Sequence, residues 1–347
     1  MPASIEDVAR LANVSISTVS RVLNHRDLVN AKTRGRVEEA IKELGYRPNV
    51  FARGLMLRKS NILGFVLPDV HGEFYSEVIR GANLTARELG YHLLVSSVNA
   101  DEDGYDVLST VGNHGLIDGI VVMVSEIDSR IRETLASVQI PLVVLDGDVP
   151  GVKHDSVVID QRRGAAAMMT HLLTSRPGKR IVFLGGHETN LDTIDRLAAY
   201  RDALTAAGAP PAESDVHYLD YRYETAYKFA AKEVHGWVAS GATVFAANDE
   251  MAAGVIDAAI SAGISVPTDL RVVGYDDTRL AQMTRPHLTT VHVPMSEMGA
   301  AAVELLCQRL KNADRPETKI TLQTELVVRQ SCGAVASLAG AERRAAK

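Results

Sequence analysis

The sequence predicts an α/β protein in which a small all-helical head precedes a core of alternating strands and helices. Three observations predict it. The first 48 residues hold short apolar stripes at helical spacing, broken by turn signals. From Asn61 onward, short apolar runs alternate with helical patterns. That alternation restarts after Asp160. The chain has 347 residues; at roughly 150 residues per domain it holds two or three domains and a sizeable core.

The head is read first. Ser4-Ile5-Glu6-Asp7 puts a hydroxyl three residues before a carboxylate, a capping box that starts a helix with Val8, Ala9 and Leu11 as its apolar face. Ala12-Asn13-Val14 interrupts it, and asparagine tolerates the left-handed conformation of a tight turn. Ser15 caps a second helix in which Val19, Val22 and Leu23 keep helical spacing. Two short helices joined by a tight turn form a helix-turn-helix unit, whose second helix enters the major groove of DNA. A third helix runs from about Ala31 to Leu44, capped by Asn30 and ended by Gly45.

Charge separates head from body. The chain carries 37 Lys+Arg against 43 Asp+Glu, a net charge of −6, yet residues 1–60 alone sum to +5. A basic head on an acidic body suits a polyanionic partner, and Lys32, Arg34 and Arg36 are placed to meet phosphates.

Composition excludes several classes. With 23% charged and 46% apolar residues the chain is neither collagen-like, coiled coil nor disordered throughout. Cys307 and Cys332 form no CxxC pair, so no disulfide framework or four-cysteine zinc site is expected, and a reducing cytoplasm fits. MPASIEDVAR does not read as a secretory signal, and runs such as Ile120 to Val124 are too short to span a bilayer.

The core is read as strands at Asn61–Leu67, Tyr91–Ser96, Ile120–Val124 and Leu142–Leu145, with helices near 75–89, 102–115 and 128–137. After Asp160 come strands at Arg180–Leu184, Asp215–Leu219, Thr243–Ala247 and Arg271–Val273, with helices near 161–174, 191–207, 224–239 and 249–262. Thr289–Val293, a helix over 296–311 and a strand Thr324–Val328 close the chain. This alternation predicts parallel sheets covered on both faces by helices.

IEDVARLANVSISTVSRVLN, VNAKTRGRVEEAIKELGYRPN and VFARGLMLRKSNILGFVLPD together resemble the head of the lactose/galactose-repressor (LacI/GalR) family. The resemblance extends over nearly the whole chain. It implies a helix-turn-helix domain over 1–48, a hinge over 49–60 and a two-lobed, periplasmic-binding-protein-like core over 61–330. The chain would cross three times between lobes. Lobe one would take about 61–160 and 293–322, lobe two about 161–292 and 323–330, and the tail 331–347 would be disordered. That tail has one leucine, Leu338, and no heptads, so a dimer is expected rather than a coiled-coil tetramer.

The same resemblance implies functional residues. Ile16, Ser17 and Arg21 occupy base-reading positions, with Ser4, Ser15, Thr18, Asn24 and Thr33 also on the DNA face. An arginine bonds guanine O6 and N7, whereas Ile16 either touches a thymine methyl or simply packs. In the hinge, Asn49, Ala52, Arg53 and Leu55 meet DNA, Leu55 as a minor-groove wedge. In the cleft between lobes, Arg196, Asn248 and Asp276 contact a small effector, and Phe74, Tyr75 and Tyr221 line or stack on it. Asp69 and Asp160 end strands facing the same cleft, the usual ligand position in open α/β sheets. Asp69, Asp160 and Tyr75 are read equally as structural residues, and Asp249 is read as a helix cap. HGEFY at 71–75 departs from the N-P-F-F common in relatives.

No phosphate loop, HExxH, GxSxG or GxGxxG motif is present, no metal site or cofactor is expected, and catalysis is not. The expected function is that of a transcriptional regulator, a repressor on a pseudopalindromic double-stranded operator. It would act as a homodimer, away from any membrane, and be released by a small effector of sugar type. Corepressor-dependent or phosphoprotein-dependent regulation is the alternative, and a solute-binding protein a distant one.

Overall fold

Local capping builds the head as the sequence predicts. The computed structural model describes residues 3–24, 28–46, 59–97, 116–176 and 179–334. Helix α1 (Ile5–Leu11) starts at Ser4, whose Oγ accepts from the Asp7 amide at 3.2 Å while the Asp7 carboxylate accepts from the Ser4 amide at 3.0 Å. Asn13 makes the turn at φ 50°. Helix α2 (Ile16–Asn24) begins where Ser15 Oγ accepts from the Thr18 amide, and α3 (Ala31–Leu44) where Asn30 accepts from the Thr33 amide at 2.8 Å. Gly45 closes α3 at φ 59°, a conformation that costs glycine little.

Val8, Ala9, Ala12, Val19, Val22, Val37 and Ala40 form the head's core. Leu11 does not join it and is 45% exposed. At 100° per residue, Leu11 projects about 100° from the centre of the arc set by Val8, Ala9 and Ala12. The smaller Ala12 takes the place against the other helices that was expected for Leu11.

The chain divides into two units, Met1–Asn61 and Ile62–Lys347. In the second unit, β1 (Ile62–Leu67), α4 (Gly72–Glu88), β2 (His92–Ser97), β3 (Gly119–Met123), α5 (Ser129–Ser137), β4 (Leu142–Leu145) and β5 (Asp155–Ile159) come first. Next are α6 (Gln161–Ser175), β6 (Ile181–Gly185), α7 (Leu191–Ala206), β7 (Val216–Tyr218), α8 (Tyr223–Ala239), β8 (Thr243–Ala246), α9 (Asp249–Ser261) and β9 (Arg271–Val273). The chain then forms α10 (Arg279–Met283), β10 (Thr290–His292), α11 (Met295–Lys311), β11 (Lys319–Leu322) and β12 (Glu325–Val327). The helix expected near 102–115 and the hinge positions Asn49, Ala52, Arg53 and Leu55 lie outside the described residues, as does the tail beyond residue 334; Ser331 and Cys332, expected in a disordered tail, are instead buried, Ser331 Oγ accepting from the Thr289 amide at 2.9 Å.

Two parallel sheets result, in the orders β11-β5-β4-β3-β1-β2 and β7-β6-β8-β9. Their central strands β3, β4, β6 and β8 are buried and apolar almost throughout, as strands covered on both faces require. The closing strands differ from the expected parallel pattern. β10 and β12 pair antiparallel in a separate two-stranded ladder, Thr290 opposite Val327. The chain passes between sheets at Asp160, after His292 and between Leu322 and Glu325.

α11 lies hard against α4. A Cβ on Gly81 would fall 1.9 Å from the Ser296 carbonyl oxygen, and one on Gly299 would fall 2.0 Å from that of Val78, so the two backbones touch where neither carries a side chain. Arg309 on α11 is buried, donates to both Asp155 oxygens at 2.9 and 2.8 Å, and holds the carbonyls of Ala313, Arg315 and Pro316. This cluster delivers the chain to β11, an edge strand the sequence reading did not anticipate. Its K-I-T-L is short and half exposed, and α10 was likewise too short to show a period.

Candidate functional site

The carboxyl ends of strands from both sheets meet around one cavity of about 470 Å³. That volume lies within the usual range for small-ligand sites. Of the eight expected cleft residues, seven line it: Asp69, Phe74, Tyr75, Arg196, Tyr221, Asn248 and Asp276. Asp160 does not. Its carboxylate caps α6 by accepting from the Arg163 amide at 3.1 Å, and its carbonyl accepts from Thr324 Oγ1. It ends β5, but at the point where the chain crosses to the other sheet, so its end is covered by the connection itself.

Arg196, on α7, is buried to 2% exposure. Its Nε and Nη2 donate to Gln161 Oε1 at 3.2 and 2.9 Å, Nη1 donates to the Ala247 carbonyl, and Nη2 also reaches Asp192 at 3.1 Å. The guanidinium stacks 3.9 Å from the Tyr275 ring centroid. A rigid donor fork is thus fixed from three sides. Asp276 lies 3.7 Å from it, beyond hydrogen-bond distance, at φ 107°. An aspartate in that region is strained, and such strain gathers at functional sites. Burial pushes the Asp276 and Asp146 carboxyls well above their ordinary range, and Asp192's charge pushes them further.

Tyr221 sits at φ 63° after β7. Its hydroxyl lies 2.7 Å from Thr193 Oγ1 and donates to Asn190 Oδ1 at 3.0 Å, and its ring lies where a Cβ on Gly186 would be. Phe74 and Tyr75 meet edge to face at 5.3 Å at the start of α4. Burial and the nearby Asp192 raise the Tyr75 phenol, which stays protonated.

At the rim, Asp69 anchors its own loop by accepting from the Val70 and His71 amides, then pairs across the cleft with Arg222. His71 lies 3.7 Å from Glu250, Glu73 accepts from the Arg279 amide at 2.9 Å, and the Leu191 amide donates to the Ser125 carbonyl at 2.8 Å. Two of these contacts, those of His71 and Glu73, come from the rim segment that departs from the common N-P-F-F.

The cap expected of Asp249 is made by Asn248 instead. Asn248 caps α9, Oδ1 accepting from the Met251 amide while Nδ2 donates to the Tyr221 carbonyl, though it still faces the cavity. Asp249 is fully buried and accepts from the Thr278 amide and hydroxyl and from Thr290 Oγ1. Burial outweighs these three donors and holds its carboxyl up at about 7. Gln161, Asp146 and Asp192 were missed. Asp146 ends β4 as Asp69 ends β1, and Asp192 stands four residues before Arg196, so both left a signal. Gln161 left none.

In the head, Ser4, Ser15, Ile16, Ser17 and Arg21 are exposed, and Thr18 and Thr33 partly so. Ser17 and Arg21, four apart, share the face of α2 opposite Val19 and Val22. Ile16 is 47% exposed and does not pack in the head's core. Ser15 Oγ lies 2.8 Å from Ser17 Oγ and 2.9 Å from Thr18 Oγ1, so the cap also orients these hydroxyls. The Asn24 side chain lies outside the described residues. No helix among the described residues is long and apolar enough to cross a membrane.

Comparison with known proteins gives the family and the fold. Residues 4–49 match the family of bacterial regulatory proteins, lacI family, and residues 170–332 match the periplasmic binding protein-like domain. The chain is 34% identical to the HTH-type transcriptional regulator RegA of Clostridium saccharobutylicum over 95% of its own length and 99% of that protein. Among solved structures, a lac repressor dimer bound to operator and the anti-inducer ONPF superposes with a TM-score of 0.83 at 26% identity, covering 96% of this chain and 99% of that one. A complex of the transcriptional regulator CelR with cellobiose superposes with a TM-score of 0.71 at 29% identity, covering 95% and 99%. The chain belongs to the LacI family of DNA-binding transcriptional regulators.

Proposed function

We propose that this regulator is a repressor that binds a pseudopalindromic operator as a homodimer and leaves it when a sugar occupies the cavity between the two sheets. The observation that carries the effector half is the cavity itself, where Arg196, Asp276, Asn248 and the rings of Tyr75 and Tyr221 converge. Carboxylates and amides match hydroxyls, an arginine supplies fixed donors, and ring faces cover the apolar side of a sugar. The similar lac repressor bound to operator and CelR bound to cellobiose support the reading.

Ile16, Ser17 and Arg21 read bases in the major groove, and Leu55 wedges the minor groove. The sugar bridges both walls of the cavity and so favours one arrangement of the lobes. It shifts DNA affinity only as far as it distinguishes the two arrangements. The test is to select bound DNA from a random library and titrate the selected site by fluorescence anisotropy with and without sugars. A two-fold symmetric site, weakened at least tenfold by a sugar, is expected. A site without symmetry, or no response to any sugar, overturns the corresponding half. Arg21→Ala is expected to relax preference at one base pair per half-site.

A further inference from the structure

We propose that the deep end of the cleft takes a ligand with a basic amine, an amino sugar in preference to a plain or phosphorylated one; this rests on the sugar reading above. Asp146, Asp192 and Asp276 line the cavity with Arg196, whose guanidinium lies 3.1 Å from Asp192 and 3.7 Å from Asp276. Asp192 accepts from it at 3.1 Å and turns its other oxygen to Gln161 Nε2 at 3.0 Å. The Asp276 side chain is only 9% exposed and accepts no hydrogen bond among the described residues; its nearest cation is Arg196 at 3.7 Å.

The charge balance around the cavity is one-sided. Eight carboxylates line the wall against three arginines. Arg222 is held by Asp69, and His71 faces Glu250. One nearby cation serves the buried Asp276 and the half-buried Asp146 and Asp192, so negative charge outweighs positive at this end of the cavity. Desolvation and mutual repulsion then hold Asp146 and Asp276 above their ordinary range. A hydroxyl donates to such a carboxylate but brings no charge. An ammonium does both, and charge-assisted hydrogen bonds are roughly twice as strong as neutral ones. A phosphate adds to the repulsion.

The experiment is isothermal titration of the whole protein with glucose against glucosamine, cellobiose against its diamino analogue, glucose 6-phosphate and 1,4-diaminobutane. The amine of each sugar pair is expected to bind at least tenfold more tightly, and the phosphate not to bind. In Asp276→Asn, and independently in Asp192→Asn, the amine-to-hydroxyl affinity ratio is expected to fall towards one. Equal affinity within each pair, or a ratio unmoved by both substitutions, overturns the amine and leaves the sugar reading standing. Binding of 1,4-diaminobutane with no sugar bound keeps the amine and overturns the sugar. Binding of none overturns both.

Discussion

At the deep end of the cleft Arg196 keeps 2% of its side-chain surface, whereas at the rim Arg222 and Asp69 keep 35% and 37%. Both ends pair an arginine with aspartate, and both join segments far apart in sequence. They differ in what water still reaches. A buried cation stripped of its partners, or buried carboxylates stripped of their cation, have no solvent to fall back on. A half-exposed pair exchanges its partner for water at little cost. The deep end is therefore costly to disturb, and the rim pair is cheap to break.

The largest expected effect is at the deep end. Arg196→Met leaves the buried Asp276 and the half-buried Asp192 without their cation and is expected to cost about 3–5 kcal/mol in urea unfolding of the core. A loss below about 1 kcal/mol would place the guanidinium in a solvated setting comparable to the rim's.

The next is a slope with pH. Asp249 is held up at about 7 against an ordinary 3.8. Its folded value lies above its unfolded one, so its contribution to stability is complete below pH 3.8 and declines as pH rises through about 7. Asp249→Asn is expected to flatten the fall in stability between those values. Asp146 and Asp276 are pushed the same way, so the slope shrinks without vanishing. An unchanged slope across a denaturation series would show that Asp249 titrates as an ordinary solvated acid.

Asn248→Ala removes the cap of α9 and the donor to the Tyr221 carbonyl. A loss of about 1–2 kcal/mol is expected, the range for a helix cap. Asn248→Ser, which keeps an acceptor for the Met251 amide, is expected to recover part of it.

The smallest is at the rim. A double-mutant cycle on Asp69→Ala and Arg222→Ala is expected to give a coupling of about 0.2–1 kcal/mol in stability. Coupling above 2 kcal/mol would erase the contrast, since only a desolvated pair reaches about that size.

Legibility in the sequence followed the range of the interactions. Ser4, Ser15 and Asn30 were readable as caps because each bonds a backbone amide three residues away. Strand ends were readable because apolar runs stop there, which brought out Asp69, Asp276 and Tyr221. The same rule failed for Asp160, whose strand end is covered by a crossing of the chain. Asp146, at the end of β4, does face the cavity. Leu11 and Ala12 show the same limit within one helix. Both suit an apolar face, and only the position of the other two helices decides which is buried.

Composition, periodicity and capping by themselves determined a helical head and an alternating core, since each is set by neighbours within a few residues along the chain; the cleft followed only from the family resemblance. Only the tertiary structure decided that β10 and β12 pair apart from the parallel sheets, that Asn248 rather than Asp249 caps α9, and that Gln161 holds Arg196. Gln161 lies 35 residues from Arg196, and the Ala247 carbonyl lies 51 away. The energy of such contacts depends on the burial that packing creates, and no local pattern encodes that burial.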